Sequence, residues 1–320
     1  MTTGAARPAA EAITADAGSG KVTSRPQRRP DRIYRWNPAR GAASRAVFVI
    51  ALTAATAAFL YPFLWAISAS LKPRDYVFNN SLLPIPFAPE NYVQIWHAAP
   101  VLLWAGNSLY LGILSAVTVT FSSALVAFGF AYFRFPGRNF LFGCVLATMM
   151  LPAAVTMIPV YLIWDHLHLA NTQFPLWLGN LFGSAFYIFL QRQFFLGIPR
   201  ELFEAARMDG DNYWTMFWRI AVPLARPALI VSAIFQFQAS WTDLLQPLIY
   251  LHSDKLYTLS LGLFELLNQY GPSGGGSGQY QLIIAGLVIS TIPMIIVFFV
   301  GQRYFVEGIA TQGTKGALRS

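Results

Sequence analysis

The sequence predicts an all-α, polytopic membrane protein with six transmembrane helices. Two observations carry this prediction. Of 320 residues, 55% are hydrophobic and only 11% are charged, whereas a soluble domain carries roughly 25% charged residues. The apolar residues also gather into six stretches, near 46–69, 105–132, 140–163, 176–196, 227–250 and 281–300. Crossing a hydrocarbon core of about 30 Å takes about 20 helical residues, which each stretch supplies. No water is present at that depth to satisfy backbone groups, so an unbroken span of this length has to be helical.

The first segment, residues 1–45, is rich in Ala, Arg, Pro, Gly and Ser. It has no apolar core, and so lacks a signal-peptide pattern; its composition reads as a disordered basic tail. Its arginines, from Arg25 to Arg45, either contact anionic headgroups, at about 1 kcal/mol each when held near the surface, or stay solvated and set topology. Solvation is the simpler reading. Residues 46–305 hold the six spans, and residues 306–320 form a short C-terminal tail.

Orientation follows from the basic residues, because cytoplasmic loops retain Lys and Arg. Of 22 Lys and Arg, only Lys72, Arg74 and Lys255 fall in the alternate set of segments. Both termini are therefore expected in the cytoplasm, in a multi-pass protein of the cell membrane. The net charge of +8 does not indicate nucleic acid, because the basic residues lie in the tail and in short loops rather than on one folded face. The single cysteine, Cys144, excludes an intrachain disulfide framework. Pro62, Pro152, Pro159 and Pro293 fall inside spans, where a proline removes a helical hydrogen bond and kinks the chain.

The segment between the fourth and fifth spans, residues 197–226, is the most informative. Pro199 opens and Gly210 closes the stretch Pro-Arg-Glu-Leu-Phe-Glu-Ala-Ala-Arg-Met-Asp-Gly, the start and stop pattern of a helix. Glu201 and Glu204 lie toward its N-terminal end and Arg207 toward its C-terminal end, as the helix dipole prefers. Ala205 and Ala206 permit close approach by another surface, and Leu202 and Phe203 offer apolar anchors. On physical grounds alone such a helix either docks on a partner or lies on the membrane interface.

Glu204-Ala205-Ala206, three residues, Gly210, nine residues, Ile220, one residue, then Val222-Pro223 resembles the EAA loop of permeases in ATP-binding-cassette importers. Val222 stands where leucine is usual. Asn107-Ser108-Leu109, Phe135-Pro136-Gly137-Arg138, Met157-Ile158-Pro159 and the ending Gln302 to Gly308 followed by Lys315-Gly316 are similar to the maltose-type carbohydrate permeases. The likeness covers nearly everything after residue 45. It departs over Gly308 to Gly316, where the family usually has Gly-Leu-Thr-Ala-Gly-Ala-Val-Lys-Gly.

The resemblance implies that the helix carrying Glu204, Ala205, Ala206, Asp209 and Gly210, with Ile220 and Pro223 behind it, docks into a cleft on an ATPase subunit. It further implies a second, non-identical permease, a pair of ATPases that hold ATP and Mg, an external solute-binding protein and a carbohydrate cargo. This chain itself is expected to bind no cofactor. It has no GxxxxGK[ST] sequence, the loop that cradles nucleotide phosphates, and no catalytic residues are assigned.

In the fifth span, Gln236, Ser240 and Asp243 share one helix face at 100° per residue, so they are candidates to line a solute path. An ionisable group within a span points to function by default; the alternative is that Asp243 is hydrated near the outer interface or bonds to a neighbouring helix. The family often has asparagine where Thr242 stands. Asp165, His166 and His168 form the other cluster of potential ligands, but a closed metal site needs about four, so no metal is expected. Gly271 to Gly278 reads as a flexible external linker.

Two other function classes compete. A secondary transporter or channel, independent of ATP, needs a coupling-ion site or an internal repeat with interrupted helices, and the sequence displays neither. An intramembrane enzyme needs paired catalytic groups at membrane depth, and no such pair is evident.

The charge asymmetry makes a direct prediction. Single cysteines at Ser253 or Gly275, in a Cys144→Ala background, are labelled from outside sealed cells by an impermeant thiol reagent. Cysteines at Arg138 or Arg207 are protected until the membrane is opened, and labelling of the Arg207 position in sealed cells reverses the topology.

Overall fold

The computed structural model describes residues 38–79, 81–270 and 278–317. The basic tail before Pro38 and the glycine-rich stretch that includes Gly275 lie outside the described residues. No strand occurs among the described residues. The chain divides into two units, Met1–Phe59 and Leu60–Ser320.

The first span is one continuous helix, α1, Pro38–Ser70, with Pro62 inside it. It starts inside the stretch read as an irregular tail, because a proline at a helix start forfeits only a backbone donor that has no intrahelical partner there. In the second unit, the chain after α1 folds back onto it. Asn91, at the start of α2 (Asn91–Ala98), donates its side-chain amide to the carbonyls of Ser70 at 2.9 Å and Lys72 at 2.8 Å, which satisfies carbonyls at the end of α1. Lys72 is itself fully buried, with its ammonium on the Asn79 side chain and the Ser81 carbonyl.

Helix α3, Val101–Tyr132, is the centre of the second unit. Its buried positions are mostly small: Ser108, Gly112, Ser115, Ala116, Ser122, Ser123, Ala124 and Ala127. Small residues let helices approach closely where hydrophobic driving force between them is lacking. A Cβ at Gly112 would sit 2.9 Å from the ring of Phe237. The upper end of α3 joins a cluster around Trp104, Phe237, Trp241, Leu259 and Leu263. Its lower end joins a second around Phe128, Phe195, Phe203 and Phe217.

The next three apolar stretches are not single helices. The third divides into α4, Arg138–Thr148, and α5, Ala153–His166, bent by 96°. Pro152 stands at the break; it lacks the N–H needed to carry the helix through. The fourth begins as 3₁₀ turns over Phe174–Leu176 and Leu178–Phe182. It turns through Gly183 at φ 78° and becomes α6 only at Ala185–Leu196. Pro175, Gly179 and Gly183 are poor helix formers, and hydropathy alone does not register them.

After α6 come α7, Arg200–Met208, α8, Tyr213–Met216, a π-turn over Phe217–Ala221, and α9, Val222–Leu224. The fifth stretch is interrupted as well: α10, Arg226–Thr242, stops before Asp243, and α11, Leu245–Tyr250, resumes after Leu244. Three of the six stretches are thus not single helices; a kink at Pro152 was expected from sequence, whereas the irregular entry through Gly183 and the break at Asp243 were not. Helix α12, Leu259–Tyr270, falls in a segment expected to be loop, and α13, Tyr280–Ala317, runs past the expected end of the last span at residue 300 and through much of the stretch read as a tail. By length and apolarity, three helices suffice to cross a membrane alone, and up to six crossings result if α4 with α5, residues 174–196 with α7, and residues 213–224 with α10 each count as one bent span.

Trp104 lies over Gly262, so closely that a Cβ there would overlap the indole. Overpacking of this kind typically costs roughly 1–3 kcal/mol. Gly262→Ala is expected to lower the thermal midpoint of the detergent-purified chain, whereas Gly106→Ala, which lies inside α3 and meets nothing within 4 Å, keeps it or raises it slightly through helix propensity. Equal midpoints for the two variants would contradict the packing.

Candidate functional site

Two places in the structure gather the residues singled out from sequence. The first is the loop between α6 and α10. Pro199 precedes α7, which carries Glu201 in its first turn and Arg207 in its last. Only Phe203 of this helix is buried; its ring lies 5.9 Å from that of Phe128 and 5.1 Å from that of Tyr132. Helix α7 is therefore wedged into the lower end of α3 by one aromatic side chain.

Its C-terminal end is closed by a Schellman arrangement. The N–H of Asp211 donates to the Ala206 carbonyl at 2.9 Å and that of Gly210 to the Arg207 carbonyl at 3.1 Å. Gly210 adopts φ 88°, a left-handed conformation that glycine takes without Cβ strain. Asn212 then caps α8, accepting from the Thr215 N–H at 2.8 Å. Arg207 lies over the Tyr213 ring at 5.4 Å. Arg219 pairs with Asp211 at 3.8 Å on the surface, where such pairs contribute little.

These contacts sort the motif. Glu204, Ala205, Asp209 and Gly210 are exposed on the outer face, together with Leu202 and Met208. Ala206 and Ile220 are half-buried against the cluster that holds Phe128 and Phe203. Pro223 sits in α9, just after the π-turn in which the Val222 N–H reaches the Phe217 carbonyl. Of the two apolar anchors expected from sequence, Phe203 is buried and Leu202 is exposed; the cap at Asn212 was not singled out, although it has a legible signal, asparagine directly before a helical segment.

The second place is a cavity of about 530 Å³ beside α10. Gln236, Ser240 and Asp243 all line it, as the helical spacing anticipates, joined by Gln246, Asn180 and Thr156. Asp243 lies at the break between α10 and α11, and its carboxylate accepts from the Gln246 N–H at 3.3 Å. Irregular backbone within a span is tolerated where it lines a cavity, and Asp243 lines one. Gln238 and Thr242 face a separate cavity.

Above this cavity the loops after the third and fifth stretches are tied together. The Asn171 N–H donates to the Tyr250 carbonyl and its side chain accepts from the His252 N–H, both at 2.9 Å. The Gln173 side chain donates to the Leu256 carbonyl at 3.0 Å. Asp165, His166 and His168 are exposed, and among the described residues no cluster of three or more His, Cys, Asp or Glu side chains is placed to hold a metal.

A chain that is helical with no strand among its described residues, with several helices apolar enough to cross a membrane and a polar-lined cavity beside an interrupted helix, has the build of a membrane-embedded transport subunit. Residues 120–310 match the family described as binding-protein-dependent transport system inner membrane component, and the chain belongs to that family. It is 35% identical over 263 residues to the arabinooligosaccharides transport system permease protein AraQ of Bacillus subtilis (strain 168), covering 81% of this chain and 91% of the relative. To the lactose transport system permease protein LacG of Rhizobium radiobacter it is 30% identical over 255 residues, covering 79% and 91%. A solved bacterial ABC transporter involved in the import of the acidic polysaccharide alginate superposes with a TM-score of 0.74 at 25% identity, covering 82% of this chain and 97% of that one. This chain is accordingly a multi-pass membrane permease component, and the interrupted helices do not make it a secondary transporter.

The Asn212 cap is open to a local test. Asn212→Ala removes about 1 kcal/mol of helix stability, so amide exchange across Tyr213–Met216 is expected to quicken about fivefold. Unchanged exchange there would show that the cap contributes nothing.

Proposed function

We propose that this chain is a permease subunit of an ATP-driven importer, and that the cargo is a carbohydrate or similar polyol delivered by an external binding protein. The observation that carries the reading is α7: an amphipathic helix wedged on α3 by Phe203, with Glu204, Ala205, Asp209 and Gly210 left exposed. An exposed face of that kind suits docking on a separate subunit. Family membership and the sugar-named relatives support the remainder.

In this reading ATP and Mg are held by two ATPase subunits, and a second, non-identical permease completes the solute path lined here by Gln236, Ser240 and Asp243. Both termini lie in the cytoplasm, on the side of α7. ATP-driven closure of the ATPases displaces α7, and the Phe203–Phe128 contact passes the displacement to α3. Coupling requires contacts that differ between the inward and outward states. The π-turn and the short α9 between α8 and α10 are the local irregularities where such a difference is accommodated.

Reconstitution with the partner permease, the ATPase and the binding protein, omitting each in turn, tests the assembly; uptake of labelled sugar by this chain alone, without ATP, would sink the reading. Within the complete importer, Glu204→Lys or Gly210→Pro is expected to lower uptake by roughly tenfold or more, within the usual range of coupling between sites, while the protein stays inserted. Normal uptake and normal ATPase copurification in both variants would remove α7 from its role.

A further inference from the structure

The cavity beside α10 carries a single formal charge. Asp243 is the one Asp, Glu, Lys, Arg or His among its described lining residues, and among the described residues no Lys or Arg forms an ion pair with it. Its carboxylate accepts from the Gln246 N–H, which uses part of a capacity of about four acceptor sites. Around it stand neutral amides and hydroxyls, Gln236, Ser240, Asn180 and Thr156, and the aromatic side chains of Trp164 and Tyr250. A polyhydroxylated solute meets this lining well: hydroxyls donate to the carboxylate, and apolar sugar faces lie on the rings. A carboxylated or phosphorylated solute brings a second negative charge close to the first with no basic group among the described lining residues to offset it.

We infer that this cavity admits neutral or cationic solutes and excludes anionic ones, and that Asp243 is the residue that sets the charge preference. The inference rests on the cavity being part of the solute path. The solved neighbour takes part in importing an acidic polysaccharide on the same fold, so the fold leaves the charge of the cargo open and the lining decides it.

Charged thiol reagents of matched size read this preference without knowledge of the cargo. The probes are a cationic and an anionic methanethiosulfonate, applied to the full chain in nanodiscs with Ser240→Cys in a Cys144→Ala background. Residues three apart on a helix lie about 5–6 Å apart at Cβ. At such range one unit charge separates the two reagents by about fivefold even with water-like screening, and by more where screening is weaker. The expected result is a cation-to-anion rate ratio at least about fivefold above that of a free small thiol, falling to the free-thiol value in Asp243→Asn and retained in Asp243→Glu. Asparagine keeps an oxygen for the Gln246 N–H, so the break and the start of α11 are preserved while only the charge is lost.

A ratio near the free-thiol value, or one that survives Asp243→Asn, overturns the inference. Failure of both reagents to reach cysteines at Ser240 and at Gln236 overturns it too, because the cavity then admits no solute. ATP-driven uptake by the assembled importer is scored separately. Its absence would remove the transport reading and leave the local preference standing, whereas normal uptake without the preference would remove only this inference.

Discussion

Every peptide group at membrane depth needs a partner, because lipid supplies none. Helix α3 meets this requirement for its neighbours. Ser108, Ser115 and Ser122 recur every seven residues and so share one face of the helix. Ser108 accepts from the Leu259 N–H at 2.8 Å, Ser115 donates to the Leu176 carbonyl at 3.3 Å, and Ser122 donates to the Asn180 carbonyl at 2.8 Å. Ser123 accepts from the Ser184 N–H at 3.1 Å. The irregular entry of the fourth span and the start of α12 are thus held by hydroxyls small enough to keep the helices close.

The same helix fixes the loop before α12. Asn107 donates to the carbonyls of Lys255 at 3.0 Å and Tyr257 at 2.9 Å, and the Trp104 indole donates to that of Asp254 at 3.0 Å. The Asn107-Ser108 pair thereby has a physical meaning: its side chains strap down the loop that leads into α12. Farther along, Gln191 of α6, fully buried, donates to the Ser232 hydroxyl of α10 at 3.0 Å and the Thr120 carbonyl of α3 at 3.4 Å. One amide therefore locks three helices together between the cavity and the wedge of α7.

How much of this was legible in the sequence depends on the kind of signal. Helices α1, α3 and α13 are long apolar runs, and hydropathy finds them with errors only at their ends. The stretches around Pro152, Gly183 and Asp243 have the same hydropathy but are broken, since an average over many residues cannot register a single proline, glycine or capping carboxylate. Helices α2 and α12 lie outside the apolar runs and are too short for a span signal. The face shared by Gln236 and Ser240 was legible because periodicity is a property of the helix itself. The serine ladder was not, because a serine in an apolar helix reads as neutral until its partner backbone is known.

Burial is distributed unevenly, and this bears on how a path opens. α3 has buried residues along its whole length, whereas α4 and α5 have none. Val155, Ile158, Leu162 and Ile163 of α5 are exposed, although Thr156 and Trp164 of the same helix line the cavity. One side of the cavity is therefore packed on a helix buried along its length, and the other is formed by a helix whose apolar residues are exposed. The break at Asp243 lies between them, in the span that forms the cavity floor. If α7 docks as proposed, a displacement there reaches α3 first through Phe203, and α3 is bonded to α6 and α10 through Gln191. Helix α5 has no buried residue, and the loop after it is tied to α11 by the bond from Asn171 to Tyr250. On that reading the cavity would change shape by displacement of this less buried wall, while the polar ladder of α3 remains intact.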